Sequence, residues 1–321
     1  MKRHYHGNVT SIILITGRNV SKFQENLNVI FGQISEWFQE NSLSLNINKT
    51  YFMQFSNKFS NDFDLNITYE NNYISSVNEK KFLGININNT LTWLTHIEKI
   101  VPKLCSACFA MRSVKPFVSQ QTLRIIYFSY FHSIISYGLI FWGHSSHSVR
   151  VFSLQKRIIR IMTGSGSRDS YRTLFICLKI LPIPSLYIFL LLRFVIKNKD
   201  LFTTNEIHKF DTRQHNNLHL PSVSLKKFQT DILCMGIKIY NSLPLHIKEE
   251  SCNINKFLSL LKDFLNENLF YSLGDFYDLC KFNSRSVFFR LLFYVQFYTS
   301  HMVICIGDYF KLIQLPIIFN S

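Results

Sequence analysis

KKFLGININNTLTWLTHIEKI, residues 80–100, is where this chain changes character. Lys81 to Ile87 reads as a strand closed by Asn88-Asn89, whereas from Leu94 onward the apolar residues recur at helical spacing. The expectation is an α+β protein, with strands concentrated before this point and helices after it.

Working back toward the start, Thr10 to Ile15 reads as a buried strand followed by a turn at Gly17-Arg18-Asn19. Ser21 to Asn41 reads as an amphipathic helix. Val20, Phe23, Leu27, Ile30, Phe31, Ile34, Trp37 and Phe38 form its apolar face, and Ser21 with Gln24 fits a capping box. A strand is expected over Thr50 to Phe55, then a hairpin in which Leu65 to Tyr69 and Tyr73 to Val77 flank Glu70-Asn71-Asn72. Working forward, Thr95 to Lys115 places Ile97, Ile100, Val101, Leu104, Cys108 and Met111 on one side, with a kink expected at Pro102 and a stop at Pro116. Further helices are expected at Ser119 to Ser136, Ser148 to Thr163, Ser167 to Ile180 and Ser185 to Lys197. A polar linker over Asn198 to Pro221 and helices at Ser224 to Asn241 and Asn255 to Asn268 complete the pattern.

The 321 residues are 47% hydrophobic, enough to fill real cores and to exclude a disordered chain. Their net charge of +15 is unevenly spread. Lys99 to Lys199 holds fifteen basic residues against one acidic residue, Asp169, and the rest of the chain is nearly balanced. Charge of one sign set among aromatic and aliphatic side chains suits a polyanion, because each neutralised phosphate releases counterions. The alternative is a set of solvated helix faces. Seven widely spread cysteines fit a reduced intracellular setting, cytoplasm or nucleus, better than a disulfide framework. The start of the chain is polar and gives no signal peptide. Leu174 to Ile196 is interrupted by Lys179, Pro182, Pro184 and Arg193, so buried helices are expected there in place of a membrane span. Ser286 to Ile306, with Arg290, Gln296 and His301, stays open.

Several constellations carry less chemistry than they suggest. Cys105-x-x-Cys108 with His144-x-x-His147 supplies four nominal zinc ligands, but the cysteines lie in a helical pattern. Asp62 and Asp64 have the i, i+2 spacing that puts both on one face of a strand, but they sit in a polar Asn-rich loop ahead of the hairpin with no third partner. Gly164-Ser165-Gly166 lacks the Lys-Ser/Thr of a nucleotide-binding loop, and His132 reads as a core or interfacial histidine.

The order and spacing of LSLNINKTYFMQFSN (43–57), KKFLGININNTLTWLTHIEKI (80–100), YFHSIISYGLIFWG (130–143), LQKRIIRIMTG (154–164) and LKILPIPSLYIFLLLRFVIKNKD (178–200) resemble the later part of the reverse transcriptases of jockey-type non-LTR retrotransposons. GIKIYNSLP (236–244) and NENLFYSL (266–273) extend that resemblance, which covers about Val9 to Leu279. It implies a partial palm over residues 1–90, a thumb-like helix over 91–118 and a basic helical region over 119–200. A linker with C-terminal helices follows over 201–280, and an unmatched aromatic-rich tail over 281–321.

In that family a Phe/Tyr-Ala-Asp-Asp turn supplying metal-binding aspartates precedes the strand matched by Thr10 to Ile15. Here His6, Gly7, Asn8 and Val9 stand in those positions. Two-metal nucleotidyl transfer needs carboxylates at fixed positions, so an N-terminally truncated remnant without polymerase activity is the reading the resemblance implies. The intact family uses Mg²⁺; no cofactor or metal site is assigned to this chain. The alternatives are the tail of a longer, active reverse transcriptase and a small membrane-associated protein.

By the same resemblance Lys49 matches a palm lysine that protonates leaving pyrophosphate, its alternative being a surface lysine after a turn. Phe82, Leu83 and Gly84 match the primer-grip strand, the alternative being a packed strand interior. Lys99, Lys103, Arg112 and Lys115 become phosphate contacts along the thumb, and Lys156, Arg157 and Arg160 extend the nucleic-acid-binding surface. The implied partners are an RNA template, a DNA primer and their duplex.

Overall fold

The computed structural model describes residues 20–41, 43, 45–55, 67–69, 72–166, 168–202, 217–222 and 226–282. The expected strand Thr10 to Ile15, the positions His6 to Val9, Asp62 and Asp64, and the stretch Ser286 to Ile306 lie outside the described residues, as does most of the expected linker. The described chain is mostly helical with a few short strands, an α+β composition at the coarse level. It divides into two compact units, with the boundary between His96 and Ile97.

The first unit opens with α1 (Val20–Glu40). A 3-10 turn over Ile47–Lys49 leads to β1 (Tyr51–Phe52), then come β2 (Thr68–Tyr69), β3 (Asn72–Tyr73), β4 (Ser75–Ser76), β5 (Glu79–Phe82) and β6 (Ile85–Asn88). These strands form three separate two-stranded pairings. β1 runs parallel to β4, and β2 and β3 make the expected hairpin, with Thr68 opposite Tyr73. Leu27, Ile67 and Ile74 form its small buried cluster, with Phe31 and Phe52 packed against it.

The stretch Lys81 to Ile87 is not one strand. β5 and β6 are antiparallel, pairing Phe82 with Ile85 across a two-residue turn at Leu83-Gly84. Both turn residues have positive φ, 43° and 84°, as a tight hairpin of type I′ requires. Glycine takes that conformation freely and leucine does not, so the apolar Leu83 concealed the turn. Asn88 then ties the hairpin to the coming helix. Its Oδ1 accepts from the Thr92 amide at 3.1 Å and its amide nitrogen donates to Thr92 Oγ1 at 2.9 Å.

α2 (Leu94–Val114) runs through Pro102 without a break and ends in a 3-10 turn over Lys115–Phe117. The rest of the second unit is α3 (Gln120–Ile126), α4 (Ser133–Ser136), α5 (Leu139–Trp142), α6 (Ser148–Thr163), α7 (Tyr171–Leu178) and α8 (Ile183–Lys197). α9 (Lys226–Gln229), α10 (Ile232–Ser242), α11 (Leu245–Lys248) and α12 (Ile254–Asn268) follow, then a last helix, α13, over residues 273–282. A wider π turn over Tyr127–His132 joins α3 to α4. The helix expected over Ser224 to Asn241 is two helices, because Asp231 takes an extended conformation and accepts the Cys234 amide at 2.7 Å as the N-cap of α10.

The core of this unit is built around α8, whose Ile183, Leu186, Tyr187, Ile188, Leu191, Leu192, Val195 and Ile196 are all buried. Among the described residues no single helix is long and apolar enough to cross a membrane. α7 and α8 together have a span's composition but meet at a 46° bend. Polar side chains stitch distant segments onto α8. Gln155, fully buried on α6, donates to the Leu181 carbonyl at 2.9 Å and to Tyr127 Oη at 3.0 Å, and accepts the Ile183 amide at 2.9 Å. That amide belongs to the first turn of α8, where no helical carbonyl can serve it. Ser185 Oγ likewise receives the Phe270 amide at 3.0 Å and donates to the Phe270 carbonyl at 3.3 Å.

Candidate nucleic-acid interface

The cations of α2 do not share one face. Lys99 and Lys103 are four residues apart and lie together on an exposed side. Arg112 is nine residues beyond Lys103, half a revolution round the helix at 3.6 residues per turn. The single row of phosphate contacts expected from Lys99 to Lys115 is therefore split in two.

Arg112 belongs to a different grouping. α2 packs on α6, where Cys108 Sγ lies 3.9 Å from the Leu154 carbonyl. Burial pushes the Cys108 thiol up to about 11, although the guanidinium groups of Arg157 and Arg112 pull the other way. Arg112, Arg157 and Arg160 line one open depression together with Ser153, Ser165 and Tyr171. Arg157 and Arg160 are three residues apart on α6 and so project side by side, away from the buried row Val151, Gln155, Ile158 and Met162.

Lys115, in the 3-10 turn directly after α2, comes to the edge of the same depression beside Gly164. α6 stops at Gly164, whose φ of +74° makes it a left-handed C-cap, its amide donating to the Arg160 carbonyl at 2.9 Å. A Cβ at Gly164 would stand 2.8 Å from Lys115 Nζ. The glycine thus both ends the helix and leaves room for the ammonium group.

Lys156 behaves differently from its neighbours. Its Nζ lies 4.3 Å from the Phe152 ring centroid and 5.5 Å from those of Tyr171 and Tyr271. This aromatic enclosure makes it a cation–π residue of the packing between α6, α7 and the segment before α13. Arg160 is held more openly, with its guanidinium carbon 4.0 Å from the Tyr171 centroid. Asp169, the only carboxylate between Lys99 and Lys199, accepts the Gly166 amide at 2.7 Å. Ion pairs among the described residues include Arg150 with Glu98 at 3.8 Å and Lys256 with Glu250. Neither involves Lys103, Arg112, Lys115, Lys156 or Arg157.

The remaining sequence candidates lie in the first unit. Lys49 is exposed at the end of its 3-10 turn, ahead of β1. Phe82 is half-buried in β5, and Leu83 is 70% exposed at the hairpin tip beside Gly84. The primer-grip-like residues thus make a protruding turn and not a strand interior.

Among the described residues no group of three or more His, Cys, Asp or Glu is placed to hold a metal ion. The nominal zinc set is dispersed: Cys105 is exposed, Cys108 is buried, and the His144 ring stands 6.4 Å from that of Tyr187. Burial lowers the pKa of His144 and of His132, which lies against Phe128 at 5.0 Å.

Gly164 is the feature the sequence reading misses, because Gly164-Ser165-Gly166 reads there only as an incomplete phosphate loop. The available signal was a glycine directly after a basic amphipathic helix, which marks a left-handed cap and an exposed helix end. Comparisons with protein-family models, curated proteins and solved structures find no match to this chain.

Proposed function

We propose that this chain is the later part of a jockey-type retrotransposon reverse transcriptase, retaining nucleic-acid binding without polymerase chemistry. The observation that carries the binding part is the meeting of Arg112 from α2, and Lys115 just beyond it, with Arg157 and Arg160 from α6 around Gly164. Such a group of cations holds the backbone of a strand and carries no sequence information, which suits an enzyme that copies any template. The family assignment is supported by the ordered motifs of residues 43–273, among them the Phe82-Leu83-Gly84 segment at the tip of a protruding hairpin. Chemistry is not expected, because His6, Gly7, Asn8 and Val9 occupy the positions of the metal-binding turn and offer no carboxylate.

The test is a pair of measurements on the full chain. RNA–DNA duplex binding should weaken steeply as salt rises, and a primed RNA template should not be extended with either Mg²⁺ or Mn²⁺. Affinity that does not change with salt would defeat the binding claim, and measurable extension would defeat the claim of inactivity.

A further inference from the structure

Resting on that reading, we infer that the depression at the end of α6 is a discrete site for a single phosphoryl group of a nucleic-acid strand, and not merely a portion of a diffusely basic face. The donors gathered there are of one kind. The hydroxyl of Ser153 is committed to the Val149 carbonyl at 3.0 Å and that of Ser165 to Thr163 Oγ1 at 2.7 Å. What is left facing the depression is mainly cationic, with the Tyr171 ring beside Arg160. Among the described residues Arg112, Lys115 and Arg157 make no hydrogen bond or ion pair. Arg160 donates to the Asp169 carbonyl at 3.5 Å, whereas the side chains of Arg112, Lys115 and Arg157 bring like charge together without an acceptor among the described residues, an arrangement that an external anion stabilises.

The anion's class follows from the same groups. Several cations line one open depression, and guanidinium forks match paired oxygens on a tetrahedral phosphate. Arg160 is held against the Tyr171 ring, so little side-chain freedom remains to be lost when it engages a ligand. A side chain at Gly164 would push the flexible Lys115 ammonium, 2.8 Å from a Cβ there, out of its place and would have to take a strained φ of +74°.

Two sources present this chemistry: an internal phosphodiester and a terminal phosphate monoester. The experiment measures, by fluorescence anisotropy, binding of the full chain to one short RNA oligonucleotide with either a 5′-hydroxyl or a 5′-phosphate. It compares Arg157→Gln, Gly164→Ala and, as an equal loss of charge on the exposed face of α12, Lys262→Gln. Arg157 and Lys262 are surface residues, so their comparison does not depend on the helix cap. The expected result is a loss of about tenfold for Arg157→Gln and for Gly164→Ala, against less than about twofold for Lys262→Gln. The salt slope should also fall by about one for Arg157→Gln. Equal losses for both oligonucleotides assign the site to an internal diester. A preference for the 5′-phosphate that disappears in the variants assigns it to a strand end. Salt-sensitive binding that all three substitutions weaken alike overturns the discrete site and leaves the nucleic-acid reading standing. An unmodified chain without salt-sensitive binding overturns both.

Discussion

Leu27, Ile67 and Ile74 are the buried apolar side chains described before Ile97, whereas α8 alone buries eight. The contrast follows from how each kind of element satisfies its backbone. A helix closes its hydrogen bonds within itself and needs neighbours only to cover its apolar stripe. A strand needs neighbours for both purposes, and isolated pairings of two to four residues supply little of either. On α1 itself Trp37 is about half exposed on the face expected to be apolar. Among the described residues the helical unit therefore holds most of the buried apolar packing, and it also carries the cation cluster. A phosphate site formed by side chains from two helices and a cap needs that rigidity.

The sharpest way to break this comparison is Gln155→Leu. The substitution removes the acceptor of the Ile183 amide and the donor to the Leu181 carbonyl, deep in the helical unit. Buried groups left without partners cost about 1–3 kcal/mol each, so a loss of about 3–5 kcal/mol is expected. Urea unfolding followed by helical circular dichroism measures it as a lower midpoint at unchanged slope. A loss below about 1 kcal/mol would show that the node is not what joins α6 to the start of α8.

A matched pair of truncations compares the cores directly. Leu191→Ala in α8 should cost about 3–4 kcal/mol, because its fully buried surroundings cannot collapse into the space left. Leu27→Ala removes the same atoms from the sparse cluster of the first unit and should cost about 1–2 kcal/mol, because that cluster is small and relaxes around the loss. Amide exchange, read separately over α8 and α1, gives both values. Equal costs would mean that the first unit is better packed than its three buried residues suggest.

What the sequence made legible follows the same division. α6 matches its expected limits, Ser148 and Thr163, because apolar periodicity and a terminal glycine both act within the helix. α1, α2 and α12 differ from expectation by a residue or so at their ends. Breaks that depend on a single residue were hidden. The Asp231 cap and the π turn at Tyr127–His132 leave the apolar pattern nearly continuous, so one helix was expected where the chain makes two or more pieces. The site was half legible for a related reason. Charge counting found Arg112, Lys115, Arg157 and Arg160, but it also grouped them with Lys99 and Lys103, which helical phase places elsewhere. Lys156 was grouped with them too, although its aromatic neighbours draw it into the packing. A residue count does not register the direction in which a side chain points.

The smallest effect concerns the hairpin that the sequence presented as one strand. Leu83 has a φ of 43°, and Leu91 and Trp93 also have positive φ, so three such non-glycine residues fall between β5 and α2. Each costs roughly 1–2 kcal/mol in a unit that has little packing to offset it. Leu83→Asn supplies a residue that tolerates the left-handed region and pairs with Gly84 in the sequence a type I′ turn prefers. It should stabilise the β5–β6 hairpin by about 1 kcal/mol, seen as slower amide exchange in its paired residues. The same variant tests whether that strain serves binding, because the leucine it removes is exposed at the tip. If Leu83 touches the primer strand, Leu83→Asn weakens RNA–DNA duplex binding while it stabilises the hairpin. Unchanged binding together with the stability gain would take the hairpin tip out of the interface and leave the α2–α6 cations as its principal contact.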